Sequence, residues 1–200
     1  QTLVSGIQRL PEPVIEESPW LLFWLGSCQL TFDPMVARAT LQRAYALFDA
    51  ADDATGLYLS WAGVATVYLF AWFDSQEALV WIAAFEDLRR RHPDFPSPAI
   101  EARATVGLVS LLRLYRLDHS QLLDWINRCR TLLNTIDDHT SRLLAASELT
   151  WCYSWLGKIA HGGLLLRELA HLATDDTAPL VRLNWLTSTA MNAWHRADAV

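Results

Sequence analysis

The chain has 200 residues, 52% of them hydrophobic and 19% charged, with a net charge of −6. That length and apolar content allow a continuous core and exclude intrinsic disorder, which goes with apolar-poor, charge-rich chains. The acidic balance repels phosphate backbones, so direct contact of this segment with DNA or RNA is not expected. Three widely spaced cysteines, Cys28, Cys129 and Cys152, make no disulfide framework and fit a reducing cytoplasm.

Residues 1–18 are broken by Pro11 and Pro13 and read as a linker or capping element. Glu16-Glu17-Ser18-Pro19 resembles a cap, and a first full helix is expected over Pro19–Leu30. Further first helices, rich in aromatics, are predicted at Ala54–Phe73, Pro98–Tyr115, Asp138–Leu156 and from Pro179 to near the end. Second helices, more charged on one face, are predicted at Pro34–Ala51, Gln76–His92, Gln121–Leu133 and Lys158–Ala173. Ala54–Phe73 carries no charge. With Gly56, Ser60, Gly63 and Thr66 inside it, it reads as a buried helix rather than a membrane span. No strand-like alternation persists anywhere.

A short turn recurs between first and second helices: Phe32-Asp33-Pro34, Phe73-Asp74-Ser75, Leu117-Asp118-His119 and Leu156-Gly157-Lys158. Its apolar residues are spaced by 41, 44 and 39. A near-constant period of this size marks a solenoid. Asp33 before Pro34 is an N-cap followed by Pro at the first helical position, and Asp74 and Asp118 are expected to cap the next helices. Prolines 93, 96, 98 and 179 fall between hairpins, where a helix must stop. The fold expected is all-α: about four and a half antiparallel helix hairpins over residues 19–200. The sequence opens on Gln1 without a signal peptide and closes on a helical pattern, so both ends look cut from a larger protein.

Small residues at Ala37 and Ala44 in a helix-pair repeat are similar to those of tetratricopeptide repeats, although Ala78/Phe85 and Leu122/Cys129 depart from that pattern. The resemblance implies a right-handed superhelix. A narrower resemblance runs through Leu10-Pro11, Ser18-Pro19-Trp20-Leu21-Leu22, Phe32-Asp33-Pro34 with Ala37, and Leu41-Gln42-Arg43-Ala44-Tyr45-Ala46-Leu47-Phe48. It is similar to the start of the superhelical sensor region of MalT-like, LuxR-type signal-transducing ATPases. It covers residues 5–92, and the rest by architecture only. It implies a cytoplasmic sensor or oligomerisation domain of a bacterial transcriptional regulator, whose partner is a small-molecule inducer or a regulatory protein.

Catalytic and cofactor signatures are missing. No Gly-x-x-x-x-Gly-Lys-Ser/Thr loop, Gly-x-Gly-x-x-Gly turn or Gly-x-Ser-x-Gly elbow occurs. The six histidines, at 92, 119, 139, 161, 171 and 195, lack metal-ligand spacing. Asp137-Asp138-His139 reads as a helix start, and Arg89-Arg90-Arg91-His92 as a helix end that complements the macrodipole. No cofactor, metal site or enzyme activity is expected.

The unusual feature is tryptophan, 10 in 200 residues. Eight fall on first helices: Trp20, Trp24, Trp61, Trp72, Trp151, Trp155, Trp185 and Trp194. Trp61, Tyr68 and Trp72 share one helix face. Two readings stand side by side. The rings fill wide helix–helix gaps in the core, or some of them line a concave groove. The candidate groove residues are Trp24, Trp61, Tyr68, Trp72, Arg103, Trp151, Trp155 and Trp185, with Arg113 and Arg142 as further polar contacts. Two functions use such a groove equally: a sensor domain, or a constitutive scaffold binding a partner peptide or helix. Exposed end helices would also favour self-association.

Overall fold

The structure, a computed structural model, describes residues 2–7, 9–30, 32–71 and 75–196. Among them all regular structure is helical: α1 (Thr2–Ile7), α2 (Glu12–Glu17), α3 (Pro19–Gln29), α4 (Pro34–Ala50), α5 (Ala54–Phe70), α6 (Ser75–Arg91), α7 (Pro98–Tyr115), α8 (Leu122–Leu132), α9 (His139–Trp155), α10 (Ile159–Leu169) and α11 (Pro179–His195). Single 3-10 turns follow α8 and α10. The chain packs as two compact units, Gln1–Tyr115 and Arg116–Val200.

The helix ends follow from local chemistry. The side chains of Ser18, Asp33, Asp53 and Asp138 accept the amide hydrogens of Leu21, Val36, Gly56 and Ser141, at 3.4, 3.1, 3.0 and 2.7 Å. Each satisfies one of the donors a helix start leaves unpaired. Proline opens α3, α4, α7 and α11, where its fixed φ suits the first turn. Gly157 takes φ +70 in the tight turn between α9 and α10, a conformation glycine reaches without strain.

One expected cap does not form. Asp118 is four residues ahead of Leu122, where α8 begins, and α8 starts without a side-chain cap. Asp118 instead accepts a hydrogen bond from Arg116 Nε at 3.0 Å, which holds its carboxyl below the usual range. Asp74, the other expected cap, lies outside the described residues, as do Trp72 and Phe73.

In the first unit, α4 lies between α3 and α5, and α5 also packs on α7. The core is filled by Leu22, Leu41, Phe48, Leu57, Trp61, Val64, Phe85, Leu108 and Leu111, all buried. Ala37 and Ala44 are fully buried too. The Ala37 carbonyl stands 3.3 Å from where a Cβ on Gly26 would be, so small residues on both helices set the α3–α4 approach. The Leu41 side chain fills the hollow over Gly26 and Gly63. These contacts account for the charge-free α5: it is buried on nearly every side. Among the described residues no helix is long and apolar enough to cross a membrane.

The basic run at the end of α6 is held within the first unit. Arg91 bonds Asp49 of α4 at 2.7 Å and Asp87 at 3.1 Å, and His92 Nε2 meets Asp52 at 3.0 Å. The Arg89 guanidinium lies 4.3 Å over the Phe95 ring, in cation–π range.

In the second unit, α9 packs against α8, α10 and α11. Cys129 and Cys152 are buried here as free thiols, and burial pushes the Cys129 thiol up and out of reactive range. Three residues join α9 to α10, and nine, with a 3-10 turn among them, join α10 to α11. Asn192 of α11 and Thr150 of α9 meet Gly162 of α10. A Cβ there would stand 3.0 Å from Asn192 Nδ2 and 3.1 Å from Thr150 Cγ2. Asn192 Nδ2 donates to the Ile159 carbonyl at 2.9 Å.

Candidate functional site

The tryptophans divide into a core set and a surface set. Trp61 is 0% exposed. Its ring lies 4.6 Å from that of Phe85, and its Nε1 donates to the Trp81 carbonyl at 2.8 Å, so both ring and polar handle are occupied. Trp185 is 5% exposed on the inner side of α11. At these two positions the core reading describes what is seen. Trp24, Trp155 and Trp194 are 48%, 63% and 69% exposed. Trp151 is half-buried, and Trp72 lies outside the described residues.

In the first unit, Trp24 on α3 sits against Phe23, ring centroids 5.1 Å apart. Tyr68 is buried at the C-terminal end of α5 and meets Tyr115 of α7 edge to face at 6.0 Å. Burial raises the Tyr68 phenol from 10.0 to about 12, against the opposing charge and hydrogen bond of Arg38. Beside it lies a shallow cleft of about 150 Å³ lined by Tyr68, Phe70, Arg113 and Tyr115. That volume is below the usual range for drug-sized ligands. Arg103 of α7 is exposed. The structure thus places Trp24, Trp61, Tyr68 and Arg103 in one unit without gathering them into one pocket.

In the second unit the exposed rings share a relation to α10. Thr150 and Asn192 both face Gly162 of α10. Trp155 is five residues past Thr150 and Trp194 two past Asn192. At roughly 100° per residue, each ring is turned more than about 130° from the α10-facing direction. Trp155 and Trp194 are therefore both turned away from α10, each near the C-terminal end of its own helix. Trp151 is one turn before Trp155. Arg142 is half-buried on α9, and its Nε has no hydrogen-bond partner among the described residues.

Sequence reasoning left Trp194 out of the candidate groove, although its spacing along α11 differs from that of the buried Trp185. It also passed over Asn192, Arg167 and Arg196, which meet at Gly163. Among the described residues, no three His, Cys, Asp or Glu side chains are grouped so as to hold a metal ion.

No protein family, curated protein or solved structure matches the chain.

Proposed function

We propose that this chain is a non-catalytic binding module, a tetratricopeptide-like helical-repeat segment that serves as the sensor or oligomerisation domain of a larger bacterial transcriptional regulator. The observation that carries the binding reading is the pair of tryptophans left in solvent on α9 and α11, both turned away from α10, Trp155 at 63% and Trp194 at 69% exposure. Large rings are usually buried, and an exposed aromatic pair on a rigid helical layer is a feature of contact surfaces. The alternation of aromatic first helices with amphipathic second helices supports the repeat reading. The regulator reading rests on the N-terminal resemblance to MalT-like sensor regions. The partner is then a small-molecule inducer or a regulatory protein, met in the cytoplasm. A constitutive scaffold that grips a partner helix is the alternative, and the same two rings favour it equally.

The test is intrinsic tryptophan emission titrated with sugars, nucleotides, acyl compounds and partner-derived helices. A saturable change with one class, lost in Trp155→Ala and kept in a surface control, supports the reading. Emission that responds to no class on the panel contradicts it. A response to small molecules favours the sensor, and a response to helices alone favours the scaffold.

A further inference from the structure

α11 carries stripes on two different sides. Val181, Trp185, Ser188 and Asn192 are buried against the rest of the second unit. Leu183, Leu186, Ala190 and Ala193 follow one another at steps of 3, 4 and 3, the spacing of a coiled-coil seam. They lie about 150° from the buried stripe around the helix. This second stripe meets solvent. Leu183 is 59% and Leu186 54% exposed, and Trp194, one turn past Ala190, is 69% exposed.

Little opposes covering it. Residues 183–194 include no charged side chain. The net charge of −6 therefore sets no like charges against each other across a contact at this stripe. The hydroxyls of Thr187 and Thr189 donate to the Leu183 and Trp185 carbonyls at 2.8 and 2.9 Å. Both are satisfied within the helix, so covering the stripe strands neither hydroxyl hydrogen.

The shape of the stripe selects its occupant. Its N-terminal half is large, Leu183 and Leu186, and its C-terminal half is small, Ala190 and Ala193. The pairs 183 with 193 and 186 with 190 are centred on the same position, 188. A second α11 laid antiparallel therefore sets each leucine over an alanine of the other copy. Each Trp194 then closes over the N-terminal turns of the other helix. A parallel copy would set leucine on leucine and leave a gap between the alanines. The antiparallel pairing also opposes the two helix dipoles. Such a contact is isologous, the two-fold kind that most homodimers use.

The three exposed side chains offer on the order of 350 Å² of apolar surface per copy. Two copies, with the small residues at the rim, bury roughly 1,000 Å² in all, the low end for a specific contact and the size of a reversible one.

We propose that the outer stripe of α11 is a homodimer contact, in which two copies of this chain pair antiparallel through Leu183, Leu186, Ala190 and Ala193. The dimer deepens the oligomerisation part of the function proposed above. It rests on Trp194 as a contact residue and not on Trp155.

Sedimentation equilibrium of the intact chain, without ligand, from about 1 to about 300 µM reads the association. The average mass should rise from 22.6 kDa toward twice that value. Leu186→Glu, at an exposed position, should keep the helicity and weaken association about tenfold or more. Val80→Glu, at a position 66% exposed on α6 of the first unit, should leave it unchanged. Ala190→Leu separates this pairing from general stickiness. It adds apolar surface but sets leucine on leucine, and should weaken the dimer. A chain that stays monomeric at the highest concentration overturns the proposal and leaves the stripe to a helix of another protein. Association that survives Leu186→Glu overturns it, as does tighter association of Ala190→Leu. Leu186→Glu keeps Trp155, so the emission titration of that variant succeeds or fails independently of dimerisation.

Discussion

The ring of Phe48 lies against the backbone of Gly56. A Cβ built on Gly56 would stand 2.0 Å from Phe48 Cδ1, and Phe48 is fully buried. The ring also meets Trp20 edge to face at 4.9 Å, so it cannot swing aside freely. Gly56→Ala should therefore destabilise the first unit by about 1–3 kcal/mol through overpacking, although alanine is the better helix former. Urea melts should show this loss, with partial recovery in Gly56→Ala/Phe48→Leu. An alanine variant as stable as the parent would mean that the ring has room to move.

The two tryptophan sets should separate by stability. Trp61→Ala opens a large cavity and should cost about 3–5 kcal/mol. Trp61→Phe keeps most of the volume but leaves the Trp81 carbonyl without its indole donor, and should cost less. Trp155→Ala, at a surface position, should stay within about 0.5 kcal/mol of the parent. Chemical denaturation of the three variants measures the order.

Asn192 ties α11 to the first turn of α10 through its bond to the Ile159 carbonyl. Asn192→Leu removes the donor and presses a branched side chain on Gly162 and Gly163. A loss of about 1–3 kcal/mol follows from the missing bond alone. Amide exchange should then speed up in α10 and α11, and not in α3–α5.

Tyr68 sets an alkaline limit. Its phenol titrates at about 12 in the folded chain against an ordinary 10.0. Burial raises the Tyr45 and Tyr58 phenols as well. The folded state favours the neutral phenols, so their contribution is complete below pH 10 and is lost as the pH rises from 10.0 through about 12. Helicity followed by circular dichroism should fall together with phenolate absorbance in that window. Tyr68→Phe, which has no proton to lose there, should shift the midpoint upward.

Much of the helix pattern was legible because its punctuation is local chemistry. Ser18-Pro19, Asp33-Pro34, Pro98 and Pro179 mark starts that need only a side-chain oxygen or a fixed φ. Asp118 misled because Arg116, two residues away, competes for its carboxylate, and the helix waits until Leu122. Trp61 and Tyr68 do share a helix face, as their spacing requires. Spacing does not say whether a face meets solvent or other helices, and α5 is apolar all round, so its periodicity carries no such signal. The cluster at Gly163 was hidden for a different reason. Asn192 and Arg196 come from one helix and Arg167 from another, and only packing brings them together.

The most direct measurement is fluorine NMR of the chain labelled with 5-fluorotryptophan, assigned by single substitutions and titrated with the same ligand panel. One ligand class should move the Trp155 and Trp194 resonances while those of Trp61 and Trp185 stay in place. Ten resonances that stay still with every class would contradict it, as would shifts confined to Trp61 and Trp185.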